Sequence, residues 1–431
     1  MRSINLFVSA GEVSGDKHAA EVIQSLKQQI SSDVKTNIWG MGGQNLKKEN
    51  VELIQDSTNL GVMGGADVIK KLPFFMNLKK RLIESIRRRK PDIALLVDYP
   101  GLNLRLAAAI KKHVPSCKII CYVAPQVWAW NYKRIYKLPS LVDRLFPILP
   151  FEENLHQEHG TCAKYVGNPT AWSIDQMNPD FDSVEFKKSI GFNPDQPLIG
   201  IYPGSREREI DYMLPVFLEA AKNLKELKPE TQFVLVRSNS IKEEKLNKYF
   251  KKHSISKDSL IKVESYEKNL SVLRSIDVAW LKSGTVTLEA ACCETPLIIG
   301  YKEFPLFWKV FLYLRQIDRI GLPNIIGGGF VCPELLQNDC KAENWVSITE
   351  RWLKNPEELQ SMKNNLRQLV KLPLQPQMNP AVYIAREILM IYQIDMTSKN
   401  NVFHMKEQAH KNSQQTKQEI SLNESLNRKK N

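Results

Sequence analysis

The chain has 431 residues, 43% hydrophobic and 25% charged; it is too long for one ordinary core and too apolar for a disordered or fibrous protein. A formal net charge of +13 calls for an anionic partner: nucleic acid, a phosphorylated metabolite or an anionic membrane surface. The seven cysteines show no CxxC and no cysteine–histidine cluster, which excludes a zinc module and reads as reduced core thiols.

The N-terminus runs straight into INLFVSA (4–10) with no charged-then-apolar leader, and no apolar run reaches membrane-spanning length, so a cytoplasmic protein is expected. Short apolar runs rich in β-branched residues then alternate with helix-length patterns. After INLFVSA come a helix over about 16–30, the strand TNIWGMG (36–42), the strand IALLVDY (93–99), a helix over 103–113 and the strand KIICYVA (118–124). Such alternation predicts parallel strands with crossover helices. VGNPTAWSIDQMNPDFD (166–182) reads as a hinge. The plan then restarts with LIGIYPGS (198–205), helix 212–227, QFVLVRS (232–238), helix 241–252, IKVES (261–265), helix 267–275, VAWLKSG (278–284) and LIIGY (297–301). The fold class expected is α/β, two Rossmann-like doubly wound lobes with no sequence repeat between them. A helix around 380–394 closes the ordered part. From about 397 the Lys, Asn, Gln and Ser composition cannot offset ordering entropy and predicts a disordered tail.

Two turns suit a nucleotide. In LIGIYPGSREREI a buried-type strand ends in Pro203, Gly204, Ser205 and Arg206 ahead of a helix pattern. Backbone amides there, the Ser205 hydroxyl and the Arg206 guanidinium suit a diphosphate, although a lone glycine turn before arginine also marks a plain surface turn. In VAWLKSGTVTLEAACCETP the turn Ser283-Gly284-Thr285 precedes a helix bearing Thr287 and Glu289. The helix-start amides attract an anion and Glu289 is placed for sugar hydroxyls; alternatively Thr285 or Thr287 is an N-cap and Glu289 a favourable first-turn acid. Two such turns in one lobe, both at strand carboxyl ends, favour a nucleotide-diphosphate site. There is no GxxxxGK[ST], and SAGEVSGDKHAA lacks GxGxxG spacing, which weighs against an ATPase or a dehydrogenase.

SAGEVSGDKHAA, VDYPGLN, VAPQVWAW, VGNP, YPGSRERE, SGTVTLEAA, LPNIIGG and PELLQ, in this order across about 390 residues, resemble the lipid-A-disaccharide synthases, the family 19 glycosyltransferases. The resemblance implies a GT-B architecture of two facing lobes, donor nucleotide mainly in the second and acceptor mainly in the first. It implies inverting transfer of 2,3-diacylglucosamine from UDP-2,3-diacylglucosamine to the 6-hydroxyl of 2,3-diacylglucosamine 1-phosphate, forming a β-1′,6 linkage and releasing UDP. The lobes are expected over 1–172 and 173–375, with a closing helix at 376–396 returning to the first lobe and a tail at 397–431. The runners-up are another GT-B UDP-N-acetylglucosamine transferase with a lipid-linked acceptor, or a UDP-sugar epimerase.

Inverting transfer needs one base to take the acceptor proton as the oxygen attacks. UDP is already a good leaving group, so the paired carboxyls of glycoside hydrolysis are not required. Asp98, at the end of IALLV, suits that role and the resemblance supports it; the alternative makes it a cap before helix 103–113. Ser14, Gly15 and Asp16 read as the N-terminal cap of the first helix, with His18 inside it. Glu12, Ser14 and Gln126 are acceptor-binding candidates, and Trp128 and Trp130 are expected to pack near the cleft. From the family motif, Asn324 is expected to bond the donor sugar or its phosphate, although asparagine after proline is also a common turn. Tyr266 is either a wall for uracil or a core tyrosine.

Residues 60–90 combine Val62, Met63, Val68, Ile69, Leu72, Phe74, Phe75, Met76 and Leu78 with dense Lys and Arg. Such a segment lies well on an anionic membrane; the alternative is a core-packed helix with a solvated basic face. With acylated substrates the first reading is preferred, which makes the protein peripheral on the inner face of the cytoplasmic membrane. No metal and no cofactor are expected, since neither a DxD-like pair nor a His cluster stands where a diphosphate would sit and Arg206 with helix-start amides carries the charge. No RNP, KH or zinc pattern points to nucleic acid. The oligomeric state is left open, a dimer included.

Overall fold

The computed structural model describes residues 2–31, 34–58, 72–129, 131–255 and 260–393. In the first sheet β1 (Arg2–Ala10), β2 (Val34–Gly42), β3 (Glu52–Asp56), β4 (Ile93–Val97), β5 (Lys118–Tyr122) and β6 (Arg144–Phe146) run in the order β3-β2-β1-β4-β5-β6. In the second, β7 (Leu198–Tyr202), β8 (Gln232–Arg237), β9 (Ile261–Ser265), β10 (Val278–Lys282), β11 (Leu297–Tyr301) and β12 (Glu334–Leu336) run β12-β11-β10-β7-β8-β9. Every ladder is parallel. Counted within its own lobe, each sheet has the same doubly wound order, so the expected fold class holds. β3, β6 and β12, all at or near sheet edges, were not foreseen.

The central strands β4 (IALLV) and β7 (LIGIY) are buried along their whole length, the mark of a parallel sheet covered on both faces. The helices that matter for the site are α1 (Val13–Gln29), α2 (Leu72–Arg89), α3 (Pro100–His113), α4 (Glu207–Leu227), α5 (Val286–Cys292) and α6 (Pro305–Leu314). In β1 the side chains alternate: Ile4, Leu6 and Val8 pack with Ile23 of α1, while Phe7 packs with Leu82 of α2 and Leu106 of α3. The second core centres on Phe217, Trp280 and Trp345, with the Phe217 and Trp345 rings edge-on at 4.8 Å.

Residues 380–393 are helical and return to the first lobe. Ile384, Ala385 and Ile388 are buried with Ile4 and Leu6, and the Tyr392 hydroxyl donates to the Ser3 carbonyl at 3.2 Å. The chain therefore crosses between lobes twice, and the crossings are strapped together. Asn168 N–H donates to the Leu374 carbonyl at 3.0 Å, and the Tyr165 hydroxyl donates to the Pro373 and Leu374 carbonyls. At Gly167 φ is +96°, and a Cβ would stand 2.1 Å from that of Pro376, so only glycine lets the strands pass.

Several boundaries move. The hinge expected over 166–182 contains the helix Pro169–Asp175, capped by Asn168; its Ala171 and Ile174 bury in the second core, so the crossing lies at 165–168 and residue 172 falls beyond it. The first helix starts at Val13, α3 at Pro100 and α4 at Glu207, with Pro215 inside α4. The helix expected at 267–275 is a 3₁₀ turn, Tyr266–Lys268, and a short helix, Asn269–Leu273. The expected tail lies outside the described residues.

Ile388→Ala should cost about 2–5 kcal/mol in urea denaturation, because it opens a cavity under a fully buried side chain. A loss under about 0.5 kcal/mol would mean that the closing helix does not complete this core.

Candidate active site

In each sheet the winding reverses between two central strands, β1 and β4 in the first and β7 and β10 in the second. Ligands of open α/β sheets bind at the carboxyl ends of such strands. The expected residues issue from these ends: Glu12 and Ser14 after β1, Asp98 after β4, Gly204–Arg206 after β7 and Ser283–Thr285 after β10.

Asp98 and Tyr99 are consecutive non-glycine residues with φ of +51° and +50°, a conformation that needs tertiary support. Asp98 Oδ1 accepts the Tyr99 N–H at 2.7 Å. Buried Asn103 of α3 donates through Nδ2 to the carbonyls of Asp98 (2.6 Å) and Val97 (3.2 Å), and its Oδ1 accepts the Ser9 hydroxyl at 2.7 Å. β1 and β4 are thereby clamped together at the ends that bear Glu12 and Asp98. A Cβ on Gly11 would meet the Tyr99 ring at 2.3 Å, so glycine lets the β1 loop lie against it. Asp98 does not cap α3: the N-cap position is Tyr99 and carries no side-chain bond.

Burial raises the Asp98 carboxyl above its ordinary pKa, and the Tyr99 N–H and the nearby His18 offset part of that rise. Glu12 is raised by burial and by the charge of Asp98, with Arg206 of the other lobe opposing. Two neighbouring carboxyls thus disfavour each other's ionisation, and a guanidinium stands across the cleft. Asp16 corrects the capping expectation. It lies inside α1, and its oxygens accept the N–H groups of Gly43 (2.6 Å), Asn45 (2.8 Å) and Leu46 (3.3 Å). It caps the next helix, 27 to 30 residues away, while Ser14 is exposed.

In the second lobe the turn at Gly204, φ +118°, is occupied from within. Glu209 Oε2 accepts the N–H groups of Ser205 (2.9 Å) and Arg206 (3.2 Å), and Oε1 accepts from Lys282 Nζ at 2.7 Å and lies 3.6 Å from the Arg206 guanidinium. Burial pushes Glu209 up, but Lys282, the Ser205 N–H and Arg206 outweigh it and hold it below its usual value. The amides expected for a diphosphate therefore hold a carboxylate, and the cations Arg206 and Lys282 remain. The Arg206 side chain is 49% exposed. Glu209 and Lys282 were missed, although R-x-x-E has capping-box spacing and a lysine ending the apolar VAWLK is a visible anomaly.

At the second turn Gly284 and Thr285 are exposed, whereas Thr287 is buried and spends its hydroxyl on the Gly284 carbonyl at 2.7 Å. The Ser283 hydroxyl donates to the Ile320 carbonyl at 3.1 Å. Thr287 thus brackets the start of α5 from within. Glu289 accepts the Tyr266 hydroxyl at 2.9 Å and Asn269 Nδ2 at 2.6 Å. Burial raises it, and Tyr266, Asn269 and the first-lobe Lys17 offset this. Around it the Tyr202 hydroxyl and Asn269 Oδ1 are buried with no partner among the described residues, which leaves hydrogen-bonding capacity for a ligand. The Tyr266 ring is partly exposed, so it is not a core tyrosine.

Asn324 is a correction. It is buried in the helix Leu322–Ile326, its Nδ2 bonds the Cys332 carbonyl and Glu334, and its Oδ1 accepts the N–H groups of Val331 and Cys332. That amide is saturated inside its own loop. Gln126 is exposed. Trp128 is buried and donates to Glu152 at 2.9 Å; burial pushes Glu152 up to about 7 against the bonds from Trp128 and Leu149. Trp130 lies outside the described residues, as do Val62, Met63 and Val68. Leu72 opens α2, where Phe74 and Met76 are exposed and Phe75 is half-buried, while Leu78, Leu82 and Ile86 bury in the first core. The later turns of α2 thus pack into the core, while its start leaves Phe74 and Met76 exposed. Among the described residues no helix is long and apolar enough to cross a membrane, and no His, Cys, Asp or Glu cluster is placed for a metal.

The family model described as lipid-A-disaccharide synthetase matches residues 6–389. The chain belongs to this family. Lipid-A-disaccharide synthase of Myxococcus xanthus is 35% identical over 349 residues, 81% of this chain and 88% of that one. The Neisseria meningitidis synthase is 32% identical over 364 residues, 84% and 92% of the two chains. Lipid-A-disaccharide synthases are UDP-sugar glycosyltransferases of lipid A biosynthesis with a lipid-linked acceptor. Among solved structures, Staphylococcus aureus MnaA with UDP aligns at TM-score 0.59 with 12% identity, covering 92% of this chain and 98% of that one. The calicheamicin glycosyltransferase CalG4 aligns at 0.54 with 13% identity, covering 91% and 98%. These likenesses show the GT-B fold.

A raised carboxyl means that the fold favours the neutral acid, so its contribution to stability is full below the ordinary carboxyl range and is lost as pH rises through the raised value. Asp98→Asn, neutral at every pH, should therefore raise Tm relative to wild type at about pH 8 and lose that advantage below about pH 4. No difference at either pH would contradict the burial of this charge.

Proposed function

We propose that the chain transfers 2,3-diacylglucosamine from its UDP conjugate to the 6-hydroxyl of 2,3-diacylglucosamine 1-phosphate with inversion, forming a β-1′,6 linkage and releasing UDP. One observation carries the proposal. A half-buried, pKa-raised Asp98 follows β4 in the first lobe, while Arg206 and Lys282 gather at the switch point of the second, near enough for Arg206 to act on Glu12. Membership of the synthase family supports the substrate class.

Asp98 acts as the base. As the acceptor oxygen forms its bond to the anomeric carbon, its proton passes to the Asp98 carboxylate, and the bond from that carbon to the β-phosphate oxygen breaks with its electron pair leaving on UDP. A raised pKa makes Asp98 a stronger proton acceptor than an exposed aspartate, as long as working pH stays above it. Glu12 binds acceptor hydroxyls beside it, and Ser14 and Gln126 line the same side. On the donor side Arg206 and Lys282 meet the charge that develops on the diphosphate. Glu209 holds Lys282 at that point and is the anion the diphosphate competes with. Gly204, Ser205, Gly284 and Thr285 contribute backbone at the two turns; Tyr266 with Glu289, beside Tyr202 and Asn269, receives the nucleoside. These cations carry the leaving-group charge without a metal. The apolar start of α2, with Phe74 and Met76, rests on the anionic cytoplasmic membrane face that holds the substrates.

Asp98→Asn should lower kcat by about 10²–10⁴-fold while UDP affinity measured by calorimetry stays within about twofold; a near wild-type rate would remove the base assignment. Arg206→Ala should weaken donor binding by about 1.5–3 kcal/mol, read as a raised donor KM, and an unchanged donor KM and kcat would contradict its role. Activity should survive excess EDTA, and loss restored by magnesium or manganese would overturn the metal-free reading.

A further inference from the structure

α6, PLFWKVFLYL, carries Lys309 as its single charge, and the face it turns outward is mixed apolar and basic. Positions 305, 309 and 313 form one row of the helix, and all three are exposed. Tyr313 is 89% exposed and Leu312, beside it, 38%; Phe304, just before the helix, is 48% exposed. In the following loop the Arg319 guanidinium lies 5.7 Å from the ring of Phe330, itself 65% exposed. Over 302–319 the cations Lys302, Lys309, Arg315 and Arg319 stand against the acids Glu303 and Asp318, and Glu303 is already paired with Arg208 at 2.8 Å. Large exposed apolar groups ringed by cations are what adsorbs to an anionic bilayer.

The location strengthens this. Tyr301, at the end of β11, lies 5.5 Å from Lys282 Nζ and packs against Trp308 of α6 with ring centroids 5.8 Å apart. α6 therefore starts beside the donor cations. Two residues past its end, Gln316 N–H donates to the Ala129 carbonyl at 3.2 Å, on the first-lobe loop that bears Gln126. The helix spans the mouth of the cleft from donor side to acceptor side. It leaves the carboxyl edge of the second sheet, and α2, whose last turn feeds the start of β4, begins at the carboxyl edge of the first. Each lobe thus presents one apolar and basic element at its cleft edge.

We propose that α6 and the loop after it form a second lipid-docking surface, on the donor lobe, which rests on an anionic membrane together with the start of α2 and turns the cleft mouth toward the lipid. This rests on the transfer reading above, in which both substrates carry acyl chains. Two contacts on one bilayer reinforce each other, since the second forms at high effective concentration once the first has formed.

Co-flotation of the full chain with phosphatidylcholine vesicles, with and without phosphatidylglycerol, tests it. Leu312→Ser/Tyr313→Ser should lower partitioning to the phosphatidylglycerol vesicles by about tenfold, with Tm and activity on detergent-dispersed substrates unchanged. Lys309→Glu/Arg315→Glu should lower it on those vesicles and have little effect on phosphatidylcholine alone. If the Leu312/Tyr313 variant floats like wild type while Phe74→Ser/Met76→Ser does not float, only α2 docks and the proposal is wrong. If the Leu312/Tyr313 variant instead changes the mass of the protein in light scattering and leaves flotation intact, the face belongs to a second copy and the proposal is again wrong. Flotation that depends on Leu312 and Tyr313 in a protein yielding no disaccharide product would overturn the transfer reading and leave the surface standing.

Discussion

The proposed transfer depends on keeping a carboxyl group poorly solvated at the end of a central strand. β4 is buried from Ile93 to Val97, so the first polar side chain after it emerges in a poorly solvated place, where charge is expensive and basicity rises. Holding it there requires an unfavourable backbone at Asp98 and Tyr99, and the support is local and polar: Ser9 and Asn103 tie the ends of β1 and β4 together. A glycine at 11 admits the Tyr99 ring. Removing any of these would free the turn before it touched the sheet.

The second lobe solves the opposite problem, which is to concentrate positive charge without a bound anion. Lys282 is the last residue of a strand that is otherwise buried, and Arg206 precedes α4. Two such cations side by side repel, and Glu209 lies between them with its other oxygen on the turn amides. The carboxylate keeps the cations in place and at the same time occupies the amides, so in the proposed donor complex the diphosphate exchanges one anion for another. The strapped crossings at 165–168 and 373–376 hold the lobes together, and Trp128 and Leu149 of the first lobe join the core of the second.

Much of this was legible in the sequence because central parallel strands are continuous apolar runs and ligand turns follow them. IALLV, LIGIY and VAWLK announced both the sheets and the places where Asp98, Arg206 and Ser283 emerge. Of the four edge strands only β9 showed: β3 is only partly buried along its length, and β6 and β12 are three residues each, too short for a periodicity to register. Polar residues with distant partners were misread for the same reason. Asp16 near the start of a helix looks like that helix's cap, but its partners are the amides of residues 43–46. Asn324 is expected at the donor from the family motif, but four hydrogen bonds with Val331, Cys332 and Glu334 consume it. Glu209 and Lys282 acquire meaning only when β7 and β10 lie side by side.

The proposed reaction needs two facing walls, one cationic and one holding a poorly solvated carboxyl. A crystal structure with UDP and an acceptor analogue tests it most directly. It should place the diphosphate against Arg206 and Lys282, the uridine beside Tyr266 and Glu289, and the acceptor 6-hydroxyl within about 3 Å of Asp98. UDP bound in the first lobe, or an acceptor hydroxyl out of hydrogen-bond reach of Asp98 with UDP in place, would contradict it.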